Sequence, residues 1–160
     1  MSGKLLLLIS VIVIAGFSAE NTVAQTSRKT VGASEVNGTF LNYFSGKSKG
    51  NHNKIKILAL GKGKLRVAFS GLYEYKMTSG EVTANLGEAT GEAVISGDTA
   101  IFTPPDTEQC TITLKFLTRG RLKVVQKGTD AECGFGHNVS AAGNYKKISA
   151  KRPKFKRPDV

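Results

Sequence analysis

The stretch KLRVAFSGLYEY, residues 64–75, alternates apolar and polar side chains along most of its length. Its apolar side carries Leu65, Val67, Phe69, Tyr73 and Tyr75. Its other side carries Lys64, Arg66, Ser70 and Glu74. Alternation with a period of two is typical of a β-strand, whereas a helix repeats about every 3.6 residues. The stretch therefore predicts a strand with one face in the core and the other in water.

The same alternation recurs between short turn signals such as GKG at 61–63 and TRGR at 118–121. We predict strands at 37–45, 53–60, 64–75, 81–88, 91–96, 99–103, 110–118, 121–127 and 140–148. Such short turns join antiparallel neighbours, because a parallel crossover needs about a dozen residues or more. No segment after residue 24 shows a helical period. The predicted fold class is all-β, an antiparallel meander of about eight or nine strands closing into a barrel, with a two-sheet sandwich as the alternative.

Two similar motifs bear on closure, NGTF at 37–40 and AGNY at 142–145. Each places a glycine two residues before an aromatic ring, one near the start of the first strand and one in the last. Glycine lets another backbone or ring approach closely, and the aromatic would fill the end of the barrel. The motifs predict that the first and last strands pair. The alternative is chance recurrence in a chain with 18 glycines.

The N-terminus has the anatomy of a signal peptide, with Lys4 followed by an apolar run from Leu5 to Phe17 and then small residues. The run is shorter than the roughly 20 residues of a membrane-spanning helix. Cleavage is predicted after Ala24, with Ala19 as the alternative. We assign residues 1–24 to the signal peptide, 25–35 to a flexible segment, 36–149 to the barrel-like domain and 150–160 to a basic disordered tail. The product is expected to be exported, to the periplasm or the extracellular space.

The net charge of +11 is concentrated at the ends of the chain. From Lys146 onward seven Lys or Arg face a single acidic residue, Asp159, whereas residues 30–145 carry a net charge of only +3. A charged tail punctuated by proline is typical of a solvated extension. Alternatively it contacts a polyanion or docks on its own domain. The charge placement argues against a specific nucleic-acid site.

Cys110 and Cys133 are the only cysteines, and an even count in an exported chain predicts a disulfide. If the hairpin turns near Gly120, Cys110 faces roughly residue 130, and a few more residues bring Cys133 within reach. A loop of this length contributes about 3 kcal/mol on the chain-entropy estimate. The alternative, a nucleophilic pair of Cys133 and His137, needs a reduced thiol that an oxidising compartment disfavours.

Other reactive groups form no recognisable pattern. His52 and His137 lack the companions that a zinc site requires, and Glu81, Glu88 and Glu92 are interpreted as a solvated face. The motifs of serine hydrolases, zinc proteases and phosphate-binding loops are absent from the sequence. We therefore expect no catalytic residue, no metal and no cofactor. Asn37 and Asn138 begin glycosylation sequons, which matter only in a eukaryotic secretory pathway.

The segment from Cys110 to Lys147 places a cysteine-bearing strand, a hairpin, a Cys-Gly-x-Gly step and a Gly-x-Tyr in order. In this it resembles a group of uncharacterised small exported bacterial proteins, and the resemblance implies a β-barrel-like domain without an activity. FSGLYEY at 69–75 and SAAGNYKK at 140–147 are also similar to the inhibitory Ser-Gly-Tyr loop of bacterial periplasmic lysozyme inhibitors. That resemblance implies inhibition of a cell-wall hydrolase.

The leading functional expectation is an exported, non-catalytic binding or interaction protein whose partner is a protein or a small apolar ligand. The alternatives are an inhibitor of a cell-wall hydrolase such as lysozyme, and an envelope-adhering structural protein that uses its basic tail. Ser140, Gly143 and Tyr145 are the candidate interaction loop. We expect no membrane span and no specific nucleic-acid partner.

Overall fold

A computed structural model describes residues 30–155 and shows a closed β-barrel. Eight antiparallel strands pair in chain order, and the last pairs with the first. The strands are β1 (Gly38–Tyr43), β2 (His52–Gly61), β3 (Lys64–Lys76), β4 (Val82–Ser96), β5 (Thr99–Phe102), β6 (Thr111–Leu117), β7 (Arg121–Lys127) and β8 (Gly143–Ser149). The predicted meander closing into a barrel is confirmed, and the sandwich alternative is wrong.

Two glycines make room at the seam between β1 and β8. A Cβ on Gly38 would run into the backbone carbonyl oxygen of Ser149, and one on Gly143 would run into the side-chain amide of Asn42. Their φ angles of 148° and 152° are positive, a conformation that glycine adopts without strain. The predicted pairing of the first and last strands is confirmed. The two glycines allow the backbones of these strands to approach closely.

Apolar side chains from all eight strands fill the barrel interior. The aromatic residues that follow the two seam glycines both point inward, with Phe40 0% and Tyr145 2% exposed. The ring of Phe40 meets that of Phe116 edge-on at 6.4 Å between centroids. The other large, fully buried side chains include Ile55, Ile57, Leu65, Val67, Phe102, Ile112, Leu114 and Leu122. A filled interior favours contacts at the surface over a ligand held inside.

The prediction of two separate strands at 81–88 and 91–96 is wrong, because one strand, β4, runs through both ranges without a break. Gly87 and Gly91, which resemble turn signals in the sequence, lie within the strand. A Cβ on Gly87 would crowd Val139 and Phe135, and one on Gly91 would crowd the ring of Phe102. These glycines therefore mark close packing rather than a turn.

A short helix, α1 (Ala33–Val36), precedes β1 where the sequence showed no helical period. Val31, two residues before the helix, and Val36, its last residue, are 8% and 2% exposed and belong to the core. Lys147 secures the segment by donating from Nζ to the backbone oxygens of Ser34 and Glu35 at 3.0 and 2.6 Å. The described part of the segment assigned as flexible, from Thr30 to Glu35, thus contacts the barrel.

The hairpin of β3 and β4 extends past the barrel as a two-stranded ribbon. Pairing of β3 with β2 ends at Ser70, whereas its pairing with β4 continues to Lys76. Tyr73 and Tyr75, predicted for the core side, therefore lie beyond the core and are each 41% exposed. Their placement in the core was wrong because β3 is longer than its partner strand.

The predicted disulfide between Cys110 and Cys133 is present, with a Cα–Cα distance of 4.8 Å. Cys110 directly precedes β6, and Cys133 ends a 3₁₀ turn at Ala131–Cys133. The bridge thus joins the open end of the β6–β7 hairpin to the segment leading into β8. It is consistent with an oxidising compartment.

The tail contacts the barrel in its described part. The backbone oxygen of Lys154 accepts a hydrogen bond from Lys56 Nζ at 3.3 Å, and the guanidinium of Arg66 lies 5.6 Å from the ring centroid of Phe155. These contacts match the alternative in which the tail docks on its own domain. Disorder over 150–160 stays a prediction for residues 156–160, which lie outside the described part.

Deleting residues 151–160 is expected to lower the free energy of unfolding by about 1 kcal/mol, because the described tail contributes one half-buried cation–π contact and two exposed hydrogen bonds. Chemical denaturation of the full and truncated proteins checks this. A loss of several kcal/mol would show that the tail is an integral part of the domain.

The predicted signal peptide, 1–24, also lies outside the described residues. Between residues 30 and 155, the structure contains no helix with the length and apolar character needed to cross a membrane.

Candidate binding cleft

Two adjoining cavities open at the end of the barrel that bears the ribbon, and together we call them the rim cleft. They share Tyr73 and Asn138 and have volumes of about 430 and 470 Å³. The lining includes Tyr43, Phe44, Asn53, Leu72, Tyr73, Tyr75, Asn85, His137, Asn138 and Ser140. Both volumes fall within the roughly 300–1,000 Å³ typical of ligand sites.

Asn53 forms the polar floor of the rim cleft and joins three elements. Its side chain is 3% exposed, donates from Nδ2 to the backbone oxygen of Ser140 at 2.7 Å, and accepts at Oδ1 from the backbone amide of Leu72 at 3.3 Å. A buried amide with both ends bonded holds its neighbours in place, because losing a partner would leave a polar group unsatisfied. Asn53 therefore fixes β3 and the β7–β8 connection relative to β2.

Asp130 shapes the connection between β7 and β8. Its carboxylate accepts from the backbone amides of Asn138 and Ala131 at 2.5 and 2.8 Å, and one oxygen lies 3.4 Å from Nδ1 of His137. The hydrogen bond from Asn138, then that from Ala131, hold the pKa of Asp130 below its usual value, and His137 adds a smaller lowering. The ionised carboxylate thus organises one wall of the rim cleft.

The remaining part of this connection is held by Gln126 and Tyr145. Gln126 Oε1 accepts from the Ser140 hydroxyl at 3.3 Å and from the Ala141 amide at 2.8 Å. The Tyr145 hydroxyl donates to the Ala141 oxygen at 2.8 Å. Burial raises the pKa of Tyr145 well above its usual value, so the phenol stays a neutral donor.

The three residues of the predicted interaction loop have different positions. Ser140 lines the rim cleft. Gly143 lies at the barrel seam, and Tyr145 is a core residue that cannot reach a partner in this fold. Strand alternation explains the position of Tyr145, because it turns this side chain inward between the exposed Asn144 and Lys146.

The reactive pair considered for Cys133 and His137 does not form. The sulfur of Cys133 is bonded to that of Cys110, and His137 has a side chain that is 80% exposed beside Asp130. His52, at the start of β2, packs its ring against Tyr43 at 5.8 Å between centroids. Within residues 30–155 there is no group of three His, Cys, Asp or Glu side chains arranged to hold a metal.

The aromatic residues of the rim cleft were not identified from the sequence. Tyr43 is 61% exposed, and Tyr73 and Tyr75 are each 41% exposed, although alternation along β3 placed the last two on the core side. One signal was available, since a strand of 13 residues exceeds the usual length and Glu74 interrupts the aromatic run. The three exposed rings are grouped around one opening.

Asp130 predicts a pH dependence for this wall. Because its pKa is lowered in the folded state, the stabilisation is present above the ordinary value of 3.8 and is lost as the pH falls through the folded value. The difference in thermal midpoint between the native protein and Asp130→Asn should therefore be largest near neutral pH and shrink in acid. A difference independent of pH would contradict this role, and His137→Gln, which keeps the backbone bonds, should show most of the native profile.

Comparison of the chain with protein-family models, with curated proteins and with solved structures gave no match. The assignment of function therefore depends on the geometry of the rim cleft.

Proposed function

We propose that the protein is an exported, non-catalytic binding protein and that the rim cleft is its binding surface. The observation that carries the proposal is the clustering of Tyr43, Tyr73 and Tyr75 around an open cleft at the end of a filled barrel. Tyrosine combines a large apolar face with a polar hydroxyl, and is enriched where proteins meet partners. The rings lie on paired strands, so ordering them on binding costs little backbone entropy.

The chemistry of the cleft supports binding rather than turnover. His137 supplies an imidazole to the cleft wall, and its neighbour Asp130 accepts hydrogen bonds from two backbone amides. The thiol that could have served as a nucleophile beside it is in the disulfide. Ser140 gives its hydroxyl to Gln126, which is a neutral acceptor and not a general base. Asp130, Gln126 and Ser140 thus hold the loop in shape, and Glu74 contributes a further carboxylate to the lining.

Export is the second part of the proposal. It is supported by the apolar N-terminal run and by the disulfide, which persists in oxidising compartments such as the periplasm or the extracellular space.

Affinity chromatography with the immobilised protein tests the binding surface. Extract of the compartment to which the protein is exported is passed over the native protein, over Tyr73→Ala/Tyr75→Ala, and over a control, Val94→Ala/Ile101→Ala, on the outer barrel wall. All four side chains are between 41% and 65% exposed, so we expect each double variant to stay folded. A species retained by the native protein and the control, but not by the cleft variant, is expected. Equal retention on the cleft variant would contradict the proposal.

Inhibition of a cell-wall hydrolase is the second candidate, and one observation favours it. The two stretches that resemble the inhibitory Ser-Gly-Tyr loop lie on the same opening, since Leu72 and Tyr73 line the rim cleft together with Ser140. An inhibitor would place the ribbon and this loop into the substrate groove of its target. Lysozyme turnover measured against increasing protein concentration tests this. Inhibition that is lost in Tyr73→Ala and Ser140→Ala supports it, and full turnover at micromolar protein removes it.

A further inference from the structure

Positive charge is concentrated on one side of the barrel, on the outer face of β6, β7 and β8. Residues 111–127 and 143–149, which form these strands and the β6–β7 turn, contain no acidic residue. We call the set Lys115, Arg119, Arg121, Lys123 and Lys146 the basic wall. Sequence reasoning placed the cationic character mainly at the chain ends, because the positions that meet across strands are not adjacent in the sequence.

Strand register brings like charges face to face on the basic wall. Lys115 lies directly opposite Lys123, and Arg121 directly opposite Lys146. Directly opposed side chains on neighbouring strands have Cβ atoms about 5 Å apart, and like charges at that spacing are destabilising. Such pairs lower stability unless an external anion neutralises them.

Within residues 30–155 no carboxylate forms an ion pair with a cation of the basic wall, and the charge of Glu35 acts on Lys147, which is outside the set. The ion pair of Lys64 with Glu92 lies on β3 and β4, and the contact of His137 with Asp130 lies in the β7–β8 connection. The nearest acidic residue by register is Asp98, next to Thr99, which lies opposite Lys115. Asp98 is 8% exposed and accepts a hydrogen bond from the Thr99 hydroxyl. The wall therefore presents uncompensated positive charge to the outside.

We propose that the basic wall docks the protein on an anionic phospholipid surface. Exposed aliphatic side chains lie among the cations, namely Val125 and Ile148 at 49% and 52% exposed. Lysine and arginine interleaved with aliphatic groups match the headgroup region of an anionic membrane. Nucleic acid is less favoured, because the described outward positions of these strands offer no aromatic ring for base stacking. A second copy of the chain would be repelled by the same charges.

The position of the basic wall separates docking from partner binding. The wall is centred on the β6–β7 turn, at the end of the barrel that also carries the β2–β3 turn and α1. The rim cleft lies at the opposite end, with the ribbon and the β7–β8 connection. A molecule held by its basic wall would keep the rim cleft open to solution.

Vesicle co-sedimentation of the exported protein tests the proposal, using phosphatidylcholine alone and phosphatidylcholine mixed with phosphatidylglycerol. Binding to the mixed vesicles only is expected, and it should weaken as ionic strength rises. Each lysine near an anionic surface contributes roughly a fivefold gain in affinity, so Lys123→Gln/Lys146→Gln should bind roughly 25-fold more weakly. The matched control, Lys49→Gln/Lys76→Gln, removes the same charge from exposed positions at the cleft end of the barrel and should lose roughly threefold or less.

The melting temperature distinguishes a loss of vesicle binding from a loss of folding. Because Lys123→Gln/Lys146→Gln relieves two like-charge pairs, it should melt at or above the native temperature while losing vesicle binding. The proposal is overturned by absence of binding to the mixed vesicles, or by equal losses in the two double variants. It is also overturned if deletion of residues 151–160 alone removes binding. Tighter binding to heparin or DNA than to the vesicles would show a polyanion site of another class and overturn the lipid assignment.

Discussion

Replacing Gly38 with alanine is expected to lower the free energy of unfolding by about 3 kcal/mol. Two costs combine at this position. The backbone has a φ of 148°, which residues with a Cβ rarely adopt, and the added Cβ would meet the carbonyl oxygen of Ser149 on the other side of the seam. A backbone oxygen within a paired strand cannot move away as a flexible side chain can. The barrel would have to open along its closing seam.

Gly50→Ala provides the matched control, because Gly50 also has a positive φ, 105°, but a Cβ there would meet nothing within 4 Å. We expect it to cost about 1 kcal/mol, the strain of the backbone alone. Urea denaturation of the two variants measures the difference. Equal losses would show that crowding at the seam contributes nothing and that the first and last strands are held by other contacts.

Removing the disulfide, either by reduction or as Cys110→Ser/Cys133→Ser, is the second large effect we expect. The bridge closes a loop with a sequence separation of 23, which corresponds to about 3 kcal/mol of chain entropy in the unfolded state. For a domain of this size the thermal midpoint should fall by about 10 °C. Scanning calorimetry with and without reductant measures this, and the double variant is the control that reductant should leave unchanged.

The disulfide should matter for the rim cleft as well as for stability. Phe135 lies two residues after Cys133. The centroid of its ring is 4.9 Å from that of Phe69, and its backbone amide donates to the backbone carbonyl oxygen of Asp130 at 2.8 Å. The cleft wall at His137 and Asn138 begins two residues later. Reduced protein is therefore expected to lose partner binding before it unfolds. An unchanged midpoint after full reduction, or two reactive thiols in freshly prepared exported protein, would contradict this account.

The parts of the fold that depend on local pattern could be predicted from the sequence. Alternation placed Ile55, Ile57, Leu114 and Leu122 in the core, and the two Gly-x-aromatic motifs predicted the closing pair of strands. Glycine was the ambiguous signal, since it allows both a turn and close packing. Gly87 lies in mid-strand because Phe135 and Val139 pack against it, and these residues are about 50 positions away in the chain.

The rim cleft could not be predicted for a related reason. Tyr73 and Phe69 share a strand face and differ only in whether β2 continues beside them, which depends on where a neighbouring strand ends. The basic wall could not be predicted either, because Lys123 and Lys146 come together only through the register of β7 and β8. Alternation along one strand gives the face of a residue, whereas these sites depend on the lengths and registers of several strands.

The central claim is that the rim cleft is where the protein meets its partner, and site-specific photocrosslinking in the living host tests it most directly. A benzophenone amino acid is placed at Tyr73 in the cleft, or at Val94 on the outer wall, where the side chain is 65% exposed and equally able to react. The account predicts an adduct of defined mass from position 73 and none from position 94. No adduct at position 73, or the same adducts from both positions, would contradict it.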